Sequence, residues 1–153
     1  MANLADQITQ GIKNAMRAKD KVRLATLRDI KSKLLLEATK EGAGDTIEDA
    51  TTLAILSKLL KQRNETATLY AEQGRADLEE EERNQAAVIS EYLPKALSES
   101  EIKEKVTAII AQTGASSMAD MGKVMGQASA AMAGQADGKV ISGIVRSMLG
   151  AGG

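Results

Sequence analysis

Apolar residues recur every three or four positions along almost the whole chain, and each such run opens on a side chain able to cap a helix. Leu24, Leu27, Ile30, Leu34 and Ala38 form one stripe after Asp20, broken by the two glycines of "KEGAGD". Leu4, Ile8, Ile12, Ala15 and Met16 form another behind Asn3. Thr46 and Asp49 have capping-box spacing and open a third run through Leu53, Leu56, Leu60, Ala67 and Tyr70, which Gly74 stops. Asp77 is the expected cap of a fourth, which ends before Pro94. The glutamates Glu79 to Glu82 fall in its first turns, where the helix dipole favours negative charge, and read as a solvated face. No alternating pattern of the strand type occurs, so the expected fold is all-α.

The residue types fit that fold and narrow the chemistry. The chain has no Phe, Trp, Cys or His, so Leu, Ile, Val, Met and Ala must fill its core. Without Cys or His there is no disulfide, no thiolate nucleophile and no ordinary zinc set, and the commonest neutral-pH base is missing. No metal site, cofactor or catalytic residue is expected. The net charge of −1 singles out no partner. The amino-terminal segment carries Asp6 and Lys13 among its apolar residues, so neither a signal peptide nor a membrane span is expected, and the expected location is cytoplasmic.

Beyond Pro94 the helices become short and rich in small residues. Residues 1–94 are read as an N-terminal helical hairpin domain of long helices and residues 95–153 as a small three-helix domain. Ser98 and Glu101 form a second capping box, for a helix through Ile102, Val106, Ile109 and Ile110 that stops at Thr113-Gly114. Further helices are expected over about 117–132 and 137–149.

The stretch "GASSMADMGKVMGQASAAMAGQADGKV", 114–140, is not a phosphate loop. Gly134 and Gly138 are one residue too close for a Walker A motif, and Val140 stands where a hydroxyl must hold magnesium. Neither "GASS" nor "SEIK" comes with the base and oxyanion donors that a serine nucleophile requires. Met118, Met121, Met125 and Met132 are spaced to share a helix face, beside Gly122 and Gly126, which would let a neighbouring helix approach closely. Two readings of that face stay open: core packing, or an adaptable surface for docking a partner's helix.

Four stretches carry a family resemblance: "RLATLRDIKSKLLLEATKEG", "LLKQRNETATLYAEQGRADL", "EYLPKALSESEI", and "TGASSMADMGKVMGQ" with "ADGKVISGIV". In this order they resemble the GatB/YqeY family over essentially the whole chain, in the manner of its free-standing bacterial YqeY members. The resemblance implies an all-α fold with an N-terminal helical part and a small C-terminal helical part. It also implies similarity to the tail of the B subunit of the glutamine-dependent aspartyl/glutamyl-tRNA amidotransferase. That enzyme converts misacylated tRNA to the amide form with glutamine, ATP and magnesium. The subunit's catalytic cradle does the chemistry and its tail contacts tRNA. Because only the tail is resembled, carbon-nitrogen ligase activity with glutamine as amido donor belongs to the complete subunit and is not expected of this chain by itself.

A noncatalytic tRNA-interaction module, accessory to tRNA-dependent amidation, is therefore the expected function. Its expected partners are tRNA and either amidotransferase subunits or another helical protein. The alternative is a helix-docking adaptor that ignores RNA. The candidate RNA-binding residues are Lys13, Arg17, Lys19, Lys21, Arg23, Arg28, Lys31 and Lys33, opposed within that segment by Asp20 and Asp29 only. Lys123, Lys139 and Arg146 are the candidates of the C-terminal part, two of them beside Gly122 and Gly138. Two readings again stand, phosphate binding or a solvated face paired with acidic neighbours. Tyr70 and Tyr92, the only aromatics, are too few for a platform on which a single strand stacks.

Overall fold

In the computed structural model, residues 3–41 and 47–151 are described. Among them are seven α-helices, one short 3-10 turn and no strand, so the protein is all-α. The chain divides into two compact units, Met1–Pro94 and Lys95–Gly153.

The first unit is built from two helical hairpins. Helices α1 (Leu4–Ala18) and α2 (Lys21–Glu41) pack on each other, as do α3 (Asp49–Glu72) and α4 (Ala76–Ser90). Ile8, Leu27, Ile30, Leu34, Leu56, Leu59, Val88 and Ile89 meet in their common core. Asn3 caps α1 by accepting from the Asp6 amide, and the Asp20 carboxylate accepts from the Arg23 amide at the start of α2. Gly74 takes the left-handed conformation, φ 71°, just past α3.

Three expectations for this unit need correction. Met16 is exposed, and the buried face of α1 runs through Ile8, Gly11 and Ala15 instead. Asp77 is not a cap, because α4 starts one residue before it and leaves it in the first turn. Thr46, the first half of the expected capping box, lies outside the described residues. Its other half, Asp49, is engaged elsewhere: its Oδ1 accepts the Leu4 amide at 2.8 Å, so α3 supplies a cap to α1.

The second unit packs α5 (Glu99–Thr113), α6 (Met121–Ala131) and α7 (Gly138–Ala151) around Ile102, Val106, Val124, Ala128, Met132, Ile141 and Val145. The Ser98 hydroxyl accepts from the Glu101 amide and the Glu101 side chain accepts from Ser98, completing the capping box. Gly114 ends α5 at φ 68°.

The methionine stripe needs correction as well. The helix begins at Met121, because Ser117 and Asp120 first close a 3-10 turn over Met118–Asp120. Met118 precedes the helix and is 44% exposed, while Met132 follows it and is fully buried. Only Met121 and Met125 lie along α6, both half-buried against the core. Gly122 and Gly126 are exposed, and a Cβ built on either meets no atom within 4 Å. No helix of the unit packs there, because α6 turns Val124 and Ala128 inward.

Candidate nucleic-acid interface

The eight cations of segment 13–33 divide between two sides of the α1–α2 hairpin, and their partners decide which. On the side facing α4, Arg23 grips the Glu91 carboxylate with both terminal nitrogens, Nη2 standing 3.0 Å from Oε1. Asp20 adds a second acid, Oδ2 at 3.6 Å from Nε. That hydrogen bond to Glu91 holds the Arg23 pKa above its ordinary value, and the guanidinium in turn holds the Glu91 carboxyl below the usual range. Lys33 pairs with Asp29 one turn away at 2.8 Å. Asp29 also meets Arg63, which reaches from α3 to bind Asp29 at 3.4 Å and Glu82 at 3.2 Å, tying α2 to α4. Arg23 and Lys33 are thus already paired with acids.

The other side is arranged differently. Lys31 Nζ donates to Thr9 Oγ1 across the hairpin at 3.2 Å. Thr9 and Lys13 are one turn apart on α1, and Lys21, Arg28 and Lys31 fall within about 80° of one another around α2. The Lys31 contact therefore sets Lys13 of α1 alongside Arg28 of α2, with Arg17 one turn further along. Lys13, Arg17, Lys19, Lys21 and Arg28 are all exposed, and none has an ion-pair partner among the described residues.

Lys19 has a conformation that asks for an explanation. It closes α1 at φ 58°, ψ 32°, its amide donating to Ala15 and Met16. It is the one non-glycine residue with positive φ among those described. Glycine is usual there, and a side chain costs roughly 1–2 kcal/mol.

Next to this cationic side, α1 and Tyr92 enclose an open groove of about 620 Å³. Its wall includes Asp6 as well as Gln7, Gln10, Lys13 and Asn14, and a smaller hollow of about 290 Å³ continues it past Ala18 and Arg23. Tyr92 approaches α1 where Gly11 has no side chain: a Cβ there would stand 2.2 Å from the Tyr92 hydroxyl. Burial pushes the Tyr92 phenol pKa up. Gln10 Nε2 donates to Asn14 Oδ1 at 3.1 Å, which leaves the Gln10 carbonyl as an acceptor and the Asn14 amide NH2 as a donor. Neither Gly11 nor the Gln10–Asn14 pair is singled out by the apolar pattern; spacing of four between two amides is its one sequence trace.

In the second unit Lys139 and Arg146, seven apart, share the exposed stripe of α7 that also holds Gly143. The Asp137 carboxylate accepts the Lys139 amide at the start of that helix. Lys123 belongs to α6 instead, near Asp120, and is not brought onto that stripe. Asp120 accepts the amides of Ser116 and Ser117, which hold its carboxyl below the usual range. Among the described residues no group of three acidic side chains converges as a metal site, and no helix is long and apolar enough to cross a membrane.

The seven helices described, divided between two units and carrying their polar side chains along helix surfaces, define an all-helical protein. The family described as "Yqey-like protein" matches residues 5–149, and the chain belongs to that family, which is related to the C-terminal region of the amidotransferase B subunit. The chain is also similar to a protein of Clavispora lusitaniae (strain ATCC 42720) named "Altered inheritance of mitochondria protein 41, mitochondrial". The two are 35% identical over 107 residues, 68% of this chain and 61% of the relative.

Proposed function

We propose that the protein is a noncatalytic tRNA-interaction module, similar to the tail of the amidotransferase B subunit and accessory to tRNA-dependent amidation, acting in the cytoplasm beside amidotransferase subunits. The observation that carries this reading is the separation of the cations. Arg23 and Lys33 are neutralised by Glu91 and Asp29, whereas Lys13, Arg17, Lys19, Lys21 and Arg28 stand exposed and unpaired on the hairpin. A set of exposed cations without ion-pair partners attracts a phosphate backbone and releases its counterions. Folded RNA read by shape and backbone suits such a surface.

The test is a tRNA binding isotherm repeated over a range of salt concentrations. The module binds in the micromolar range, and its affinity falls as salt rises; a protein indifferent to tRNA at low salt would overturn the reading. Supplied with glutamine, ATP, magnesium and misacylated tRNA, the purified chain is expected to release no amide product, and turnover would make it an enzyme in its own right.

One observation favours a helix-docking adaptor: Met118 and Val140 are each 44% exposed in the second unit. On that reading RNA does not bind, and the cations are a solvated face.

A further inference from the structure

Tyr92 and the polar wall of α1 combine three kinds of contact that a single nucleotide uses. An aromatic ring offers a stacking surface, the Gln10–Asn14 pair offers an acceptor and a donor, and Lys13 offers a cation on the rim. The groove's volume of about 620 Å³ lies within the roughly 300–1,000 Å³ of small-ligand sites. Nothing among the described residues hydrogen-bonds the Tyr92 hydroxyl, although Gly11 leaves room for the ring tip against the helix. Lys13 belongs both to this groove and to the unpaired cationic side, so a backbone lying on those cations passes the groove's mouth. One ring cannot stack a strand, but one ring is enough for one base.

We propose that this groove takes one unpaired nucleotide of the bound RNA, its base against Tyr92 and the Gln10–Asn14 amides and its phosphate at Lys13. The inference rests on the RNA-binding reading. It assigns to the module a preference for RNA with an unpaired loop or bulge over a continuous duplex.

Tyr70 and Tyr92 are the only fluorophores, so a Tyr70→Phe variant reports on Tyr92 alone. Two RNA probes share one stem: a hairpin with an unpaired loop, and a fully paired duplex of equal charge. Both are expected to bind in a salt-dependent way, with the hairpin alone quenching Tyr92 emission. Replacing Gln10 and Asn14, both exposed on α1, by Ala is expected to weaken the hairpin about tenfold and leave the duplex unchanged. Binding of both probes with equal quenching or none, or equal loss in the double variant, overturns the groove while the module stands. Failure of both probes to bind overturns the module and the groove together.

Discussion

The Tyr92 hydroxyl occupies the place where a side chain on Gly11 would begin, 2.2 Å from an ideal Cβ at that position. Leu27 Cδ1 crowds the same point at 3.1 Å. Gly11→Ala therefore sets a gain in helix propensity of about 1 kcal/mol against the displacement of an aromatic ring. Displacement wins: the variant is expected to lose roughly 1–3 kcal/mol in urea unfolding, and adding Tyr92→Phe should restore part of it. The reverse sign is expected for Gly126→Ala and Gly143→Ala, where a Cβ meets nothing within 4 Å and each change should stabilise by roughly 0.5–1 kcal/mol.

Lys19→Gly separates stability from binding. Relieving the left-handed lysine should raise stability by about 1 kcal/mol. Removing its charge should lower tRNA affinity, so unfolding midpoint and binding constant move in opposite directions.

Neutralising the unpaired cations one at a time, as Lys13→Gln, Arg17→Gln, Lys21→Gln or Arg28→Gln, should flatten the dependence of log affinity on log salt by roughly one unit per lost phosphate contact. Lys33→Gln, which removes a partner of Asp29, should leave the slope unchanged.

Arg63→Lys tests the tie between α2 and α4. A lysine supplies one charge on a flexible stem where the guanidinium reaches Asp29 and Glu82 together. A loss of roughly 0.5–1.5 kcal/mol is expected, smaller at high salt, measured by denaturant unfolding.

Acid should destabilise both units through identified carboxylates. Glu91 and Asp120 each have a folded-state pKa below the unfolded one, so their contribution is complete above the unfolded value and fades as pH falls through the folded value. The affected window opens at about pH 5 and extends downward. Asp120→Asn should flatten the acid limb of the second unit's stability curve, and Arg23→Gln that of the first. Glu91 and Arg23 are partly exposed, so their pair is worth only roughly 0.2–1 kcal/mol.

Local signals were legible where local contacts decide the outcome. Asn3, Ser98 with Glu101, Gly74 and Gly114 act at helix ends as their residue types suggest. Asp49 could not be read the same way, because a capping-box spacing says nothing of an amide 45 residues upstream that competes for its carboxylate. The methionine spacing held for Met121, Met125 and Met132, which meet one core, and failed for Met118, because periodicity assumes one helix and a 3-10 turn detached it from the rest. In the candidate interface the cluster of cations was visible, but its division was not. Glu91 lies 68 residues from Arg23 and Thr9 lies 22 from Lys31, so only the packed hairpins show which charges are already neutralised.

Because the Leu4 amide finds its acceptor on Asp49, the opening turn of the first helix is completed only by the third. During synthesis α1 and α2 emerge together with that amide still bonded to water, and the contact forms only after the intervening chain has closed its loop. The opening turn should consequently exchange its amide hydrogen in step with detachment of α3, so a chain shortened before residue 49 would carry a frayed amino terminus however good its own helical sequence.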